Sequence, residues 1–245
     1  MILTLRFYEE LNDFIPAKCR KKSFEYFFAP RTSVKDAIES LGVPHTEVDL
    51  ILVNSKSVDF SYHLKENDYV SVYPKFESFD ITQVTKIRTE PLRTVRFMLD
   101  VHLGKLAKYL RLLGFDTLYK NNLTDPEIIE IAQKEKRIIL TRDYGILKNN
   151  KVSHGYWIRS QNSKEQLKEI IRRFDLKNKL QLFSRCTVCN GLIKSVEMDK
   201  ILDKIEPGTR NDFKKFYECS SCKKVYWEGS HYENMNKFIK TLFTI

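Results

Sequence analysis

The chain has 245 residues, 42% hydrophobic and 30% charged, with a formal net charge of +10, a length that accommodates two or three compact domains. No apolar run is long enough to span a bilayer, and the start, Met1 to Arg6, alternates like a strand and lacks the charged opening and long apolar core of a secretory signal, so the protein is expected in the cytoplasm, away from membranes. The charge is uneven, net −2 over residues 1–90, +9 over 91–180 and +3 over 181–245, and a basic excess confined to the later segments suits a polyanion, of which nucleic acid is the commonest.

Residues 1–77 read as a small α+β unit. Leu3, Leu5 and Phe7 alternate with polar residues as in a half-buried strand, and Phe24, Tyr26 and Phe28 form a second such run. Ser33 stands at a helix N-cap before Val34, Ala37, Ile38 and Leu41, and Gly42 and Pro44 end that helix. Leu50 to Val53 is a strand, Asn54-Ser55 a turn, and Tyr69 to Tyr73 a last strand. Strand, strand, helix, strand, strand is the order of a ubiquitin-like β-grasp, and the unit resembles the small sulfur carriers of thiamine and molybdopterin synthesis. Those carriers end in a Gly-Gly tail, whereas here the last strand runs into Pro74-Lys75-Phe76-Glu77. The unit is therefore read as a binding or positioning module with a surface for a protein partner. Residues 78–94 are polar and aperiodic, with Pro91 near their end, and read as a linker.

Residues 95–180 alternate strand and helix patterns. Val95 to Leu99 is a strand, followed by a helix marked by Leu103, Leu106, Ala107, Leu110 and Leu113 and closed by Gly114. Thr117 to Tyr119 is a strand, Pro126 to Lys136 a helix, Ile138 to Thr141 a strand, Tyr156 to Ile158 a strand and Lys164 to Phe174 a helix. That alternation predicts an α/β domain on a parallel sheet. On the first of these helices Lys105, Lys108 and Arg111 recur every three residues, a basic stripe able to follow a phosphate backbone or simply to face solvent.

Residues 181–245 carry Cys186-Thr187-Val188-Cys189 and Cys219-Ser220-Ser221-Cys222. Two CxxC turns supply the four soft ligands that tetrahedral Zn²⁺ requires, in a closed shell that makes the zinc structural. The spacer, 190–218, is longer than in a minimal zinc ribbon, and Cys19 has no sequence partner. His231, near Tyr226, Trp227 and Tyr232, is surplus to the zinc shell and is placed to meet a base or a phosphate.

Asp100 and Asp143 each follow a predicted strand, and Asp125 opens a helix. In an open parallel sheet strand C-termini and the next helix N-termini meet at one edge, so the three acids are expected to converge. Clustered carboxylates in a basic domain call for a cation, and Mg²⁺ or Mn²⁺ fits carboxylate, water and phosphate oxygens. The competing reading is local: Thr124-x-x-Glu127 matches a capping box, and Asp100 and Asp143 can each cap the helix that follows.

Several long motifs then resemble the Mut-seven C-terminal RNase family: Phe97 to Asp116, Asp125-Pro126-Glu127-Ile128, Leu140-Thr141-Arg142-Asp143, and Tyr226-Trp227-Glu228-Gly229-Ser230-His231. The resemblance implies a PIN-like nuclease domain joined to a zinc ribbon, with a ubiquitin-like domain in front. It maps the family's acids onto Asp100, Asp125 and Asp143, with Glu127 as a fourth candidate, and Arg142 onto the arginine before the last acid. Asp116 also matches, but as the first residue of a strand it is expected at the far edge of the sheet. The expected architecture is thus a β-grasp domain (1–77), a linker (78–94), a PIN-like domain (95–180) and a zinc ribbon (181–245). The expected activity is metal-dependent endonucleolytic cleavage of RNA, with Arg142, Lys105, Lys108, Arg111 and His231 contacting substrate. The alternative is a non-catalytic RNA-binding protein associated with ribosomes or tRNA.

Overall fold

The computed structural model describes residues 1–74, 84–87 and 95–243, apart from the side chains of residues 231, 242 and 243. The expected linker, 78–94, lies mostly outside the described residues. Chain contacts divide the protein into two compact units, Met1–Thr94 with Leu123–Ile158, and Val95–Asn122 with Arg159–Ile245. Among the described residues no helix is long and apolar enough to cross a membrane.

The N-terminal part of the first unit is a β-grasp. Its elements are β1 (Ile2–Phe7), β2 (Phe24–Phe27), α1 (Val34–Ser40), β3 (Val48–Val53), β4 (Lys56–Val58) and β5 (Tyr69–Pro74). The sheet order is β2-β1-β5-β3-β4. β1 and β5 pair in parallel at its centre, while β2 on β1, β3 on β5 and β4 on β3 are antiparallel. Alternation along β1 turns Leu3, Leu5 and Phe7 to one face, where they meet Val34, Ala37 and Ile38 of α1 in one apolar core. The helix begins where the sequence places it, because the Ser33 side chain accepts the Asp36 N–H at 3.1 Å. β3 departs from alternation: five of its six residues are buried, so both of its faces are covered.

Residues 95–173 alternate strands and helices: β6 (Arg96–Leu99), α2 (Gly104–Leu112), β7 (Asp116–Leu118), α3 (Asp125–Glu135), β8 (Ile138–Thr141), α4 (Tyr144–Leu147), β9 (Gly155–Trp157) and α5 (Ser163–Arg173). β6 and β7 pair in parallel in the second unit, and β8 and β9 pair in parallel in the first. Ile138, Ile139, Leu140 and Thr141 are all buried, the continuous burial of a parallel strand covered on both faces.

The ribbon is a three-stranded antiparallel sheet, β10 (Ile193–Val196), β11 (Phe216–Cys219) and β12 (Val225–Trp227), in that order. The long spacer is accounted for by an insertion between β10 and β11. A 3-10 segment, Met198–Lys204, and α6 (Pro207–Asp212) fold back so that Ile201, Ile205 and Phe216 form a small core of their own. A last helix, α7 (Ser230–Phe243), follows β12.

Replacing Ser33 by Ala removes the cap acceptor of α1 and is expected to lower stability by about 1 kcal/mol, whereas Ser33→Asp retains it. Chemical denaturation of the two variants measures the difference.

Candidate active site and metal centre

The four cysteines are brought together by two similar turns. In each knuckle the residue after the second cysteine takes a left-handed backbone, Asn190 with φ 69° and Lys223 with φ 61°, which turns the chain back toward its start. Backbone bonds from Asn190 N to Cys186 O (2.9 Å) and from Lys223 N to Cys219 O (3.1 Å) close the two turns. Gly191 is required by close approach: a Cβ there would lie 2.6 Å from Ser221 Oγ and 2.8 Å from Cys219 Sγ.

The four Sγ atoms lie within 4.8 Å of one another, with Cys186 to Cys222 at 3.6 Å and Cys189 to Cys219 at 3.4 Å. A tetrahedral zinc with Zn–S of about 2.3 Å has S–S edges of about 3.8 Å, so the cluster is sized for the ion. Thiols this close cannot all ionise alike. Burial works against ionisation of Cys186. The Tyr226 hydroxyl, the backbone N–H groups of Cys189 and Val188 and the Cys222 thiol outweigh it and bring Cys186 down to about 6. At Cys222 burial, reinforced by the thiols of Cys189, Cys186 and Cys219 and only partly offset by the Lys224 N–H, pushes the thiol up to about 12. A divalent cation at their centre would let all four become thiolates.

Arg111 corrects the expected stripe. Lys105 and Lys108 are exposed, but Arg111 is 4% exposed and cannot follow a phosphate backbone. Its Nε donates to the Thr117 carbonyl at 2.9 Å, and its Nη1 donates to the Thr187 and Val188 carbonyls at 3.2 and 2.8 Å. The guanidinium thus ties α2 and β7 to the two residues between the first cysteine pair. Beside it, Asp116 pairs with Arg185 at 3.4 Å and accepts the Asn190 amide at 2.9 Å. Asp116 therefore also serves the knuckle.

The acids fall as follows. Asp125 and Asp143 line one cleft of about 480 Å³ together with Glu130, Gln133, Asn149 and Lys151. Both are exposed. Asp143 precedes α4 and its Oδ1 accepts the Gly145 N–H at 2.8 Å, while its own N–H donates to Thr141 Oγ1 at 2.8 Å. Asp125 opens α3, where Glu127 accepts both the backbone N–H and the hydroxyl of Thr124 at 2.7 Å, the reciprocal half of the capping box. Asp100 belongs to the second unit. It follows β6, is 6% exposed, and caps no N–H of the short 3-10 turn that begins at Val101. Arg142 is exposed, and the His231 side chain lies outside the described residues.

Sequence reasoning missed Lys151, which stands on the cleft. It belongs to a loop without periodicity, where no spacing rule applies.

Comparison with known proteins gives the following. The Mut7-C RNAse domain family matches residues 95–239, and the Mut7-C ubiquitin family matches residues 1–80. A solved structure, SAMP1 from Haloferax volcanii, is similar at 13% identity over 32% of this chain and 100% of that one, with a TM-score of 0.26. No curated protein matches the chain.

Elemental analysis is expected to find one zinc per chain. Arg111→Met deletes donors to the carbonyls of the first knuckle, and losing such an outer partner is expected to weaken zinc retention about 10–100-fold against a chelator. Because the ligand thiols must be deprotonated, zinc is held at neutral pH and released as the pH falls; a titration with a zinc indicator follows that release.

Proposed function

The chain belongs to the Mut7-C RNase family, and on that premise we propose that it is a metal-dependent ribonuclease that cuts RNA endonucleolytically. The observation that carries the reading is the cleft on which Asp125 and Asp143 both open. Its donor set is hard carboxylate oxygen, which suits Mg²⁺ or Mn²⁺ and not the thiophilic ions of the ribbon. In this reading Asp125 and Asp143 supply carboxylate ligands to the ion. When bound, the ion supplies a nucleophile drawn from water and charge stabilisation for the leaving oxygen.

The protein's own groups bind and orient the substrate. Lys151 stands on the cleft, and Arg142 is exposed on the residue before Asp143, so both are placed to meet phosphate oxygens. Lys105 and Lys108, exposed on one side of α2, are further candidates for contact with substrate phosphates. Zn²⁺ in the four-cysteine cluster is structural, and the ribbon, with His231, adds RNA-binding surface. The β-grasp offers a surface to a protein partner.

A specific observation also favours the non-catalytic alternative. Asp143 caps the Gly145 N–H and Glu127 completes a capping box, so both have a structural use without metal. The two readings separate on Asp143→Asn, because Asn caps about as well as Asp but carries no charge for a cation. The ribonuclease reading expects this variant to remain folded, to bind RNA as tightly or more tightly, and to lose at least about 100-fold in Mn²⁺-dependent cleavage of mixed RNAs, the loss of several kcal/mol of metal stabilisation. Wild-type cleavage by the variant, or equal cleavage with and without Mn²⁺, would refute it. RNA affinity is expected to fall steeply with salt, through counterion release, in a filter-binding series.

A further inference from the structure

The β-grasp does more than sit in front of the RNase portion. Glu47 ends a 3-10 turn, His45–Glu47, immediately before β3, and is 0% exposed. Its Oε1 accepts the backbone N–H of Trp157, at the end of β9, at 2.6 Å. The indole Nε1 of Trp157 in turn donates to the Arg142 carbonyl at 3.0 Å. Arg142 is bonded to Asp143. The path from the β-grasp to an acid of the cleft is therefore two hydrogen bonds and one peptide link.

Apolar and polar contacts run beside that path. The Phe14 ring lies 5.0 Å from the Trp157 ring and 6.3 Å from that of Tyr144, the residue after Asp143. His45 bridges Glu39 Oε1 at 2.7 Å and the Val152 carbonyl at 2.8 Å, one residue beyond Lys151. The β-grasp thus contacts the chain at Tyr144 and Trp157 and at Val152, beside the cleft residues Asp143 and Lys151.

A module that only recruits a partner needs a tether, not a buried carboxylate, which is costly to bury without hydrogen bonds. We propose that Glu47 is a positioning residue of the acidic cleft, acting through Trp157 on Arg142 and so fixing where the Asp143 carboxylate stands. The proposal rests on the reading of Asp143 as a ligand of the divalent metal. Outer groups that orient metal ligands commonly govern affinity or activity by one to two orders of magnitude, and Glu47 has the geometry of such a group one step further out.

The test uses the zinc-loaded full chain. Mn²⁺ binding is measured by calorimetry, and RNA cleavage is resolved into kcat and KM. Asp143→Asn serves as the control that locates the Mn²⁺ site. Glu47→Ala is expected to weaken Mn²⁺ binding about 10–100-fold and to lower kcat with KM little changed. Glu47→Gln keeps an oxygen that accepts the Trp157 N–H and is expected to restore both. Trp157→Phe keeps an aromatic ring against Phe14 and Tyr144 and removes the bond to Arg142, so it answers the question should Glu47→Ala fail to fold; it is expected to weaken Mn²⁺ binding in the same direction. Wild-type Mn²⁺ affinity in folded Glu47→Ala, or in Trp157→Phe, would overturn the proposal. A wild type that binds Mn²⁺ through Asp143 and cleaves no RNA would overturn the ribonuclease reading while leaving this one standing. A wild type that binds no Mn²⁺ would end both.

Discussion

Groups of like charge stay together only when something of opposite sign stands among them, and this protein gathers such groups in two places. Four thiols meet within 4.8 Å, and two carboxylates open on one cleft. The donor atoms decide which ion each place suits: soft sulfur in a closed tetrahedral shell on one hand, hard oxygen with room for water and phosphate on the other. Around both, polar contacts hold the neighbouring chain: Arg111 donates to carbonyls between Cys186 and Cys189, Thr141 accepts the Asp143 N–H, the Gly145 N–H bonds the Asp143 carboxylate, and Trp157 donates to the Arg142 carbonyl.

Much of this was legible in the sequence, because the responsible forces act over short spacings. Two CxxC turns force sulfur pairs together whatever surrounds them. Alternation in Leu3, Leu5 and Phe7 and the cap at Ser33 needed only the periods of strand and helix and one side chain's reach. The capping box at Thr124 and Glu127 is local for the same reason. What escaped depends on residues far apart in the chain. Arg111 continues the three-residue spacing of Lys105 and Lys108, yet carbonyls some 76 positions later draw it inside. Spacing tells which residues share a helix face; it does not tell where solvent ends. Glu47 carries no signal in the sequence around it, because its bond to Trp157 reaches 110 positions along the chain. The length of the spacer in the ribbon was plain, but not that Ile201, Ile205 and Phe216 would use it to make a core.

The contacts of Glu47, His45 and Phe14 also bear on how the two families matched by this chain come to be fused. A β-grasp that holds Trp157 through Glu47 and Phe14, and Val152 through His45, has one side already committed to the chain that follows. Any protein partner of the domain must then use the remaining surface, of which edge strand β2, with Phe27 75% exposed, is a part. Recruitment and support of the cleft are compatible roles, carried on different sides of one small sheet.

The central claim is that the acids hold a divalent cation, and locating that ion tests it most directly. Crystals grown with Mn²⁺ can be measured on both sides of the manganese and zinc absorption edges. The account predicts a zinc peak at the centre of Cys186, Cys189, Cys219 and Cys222. It also predicts a manganese peak within coordination distance, about 2.2 Å, of carboxylate oxygens from Asp125 and Asp143. A cleft that shows no manganese peak at saturating Mn²⁺, with Asp143 turned only toward Gly145, would contradict it.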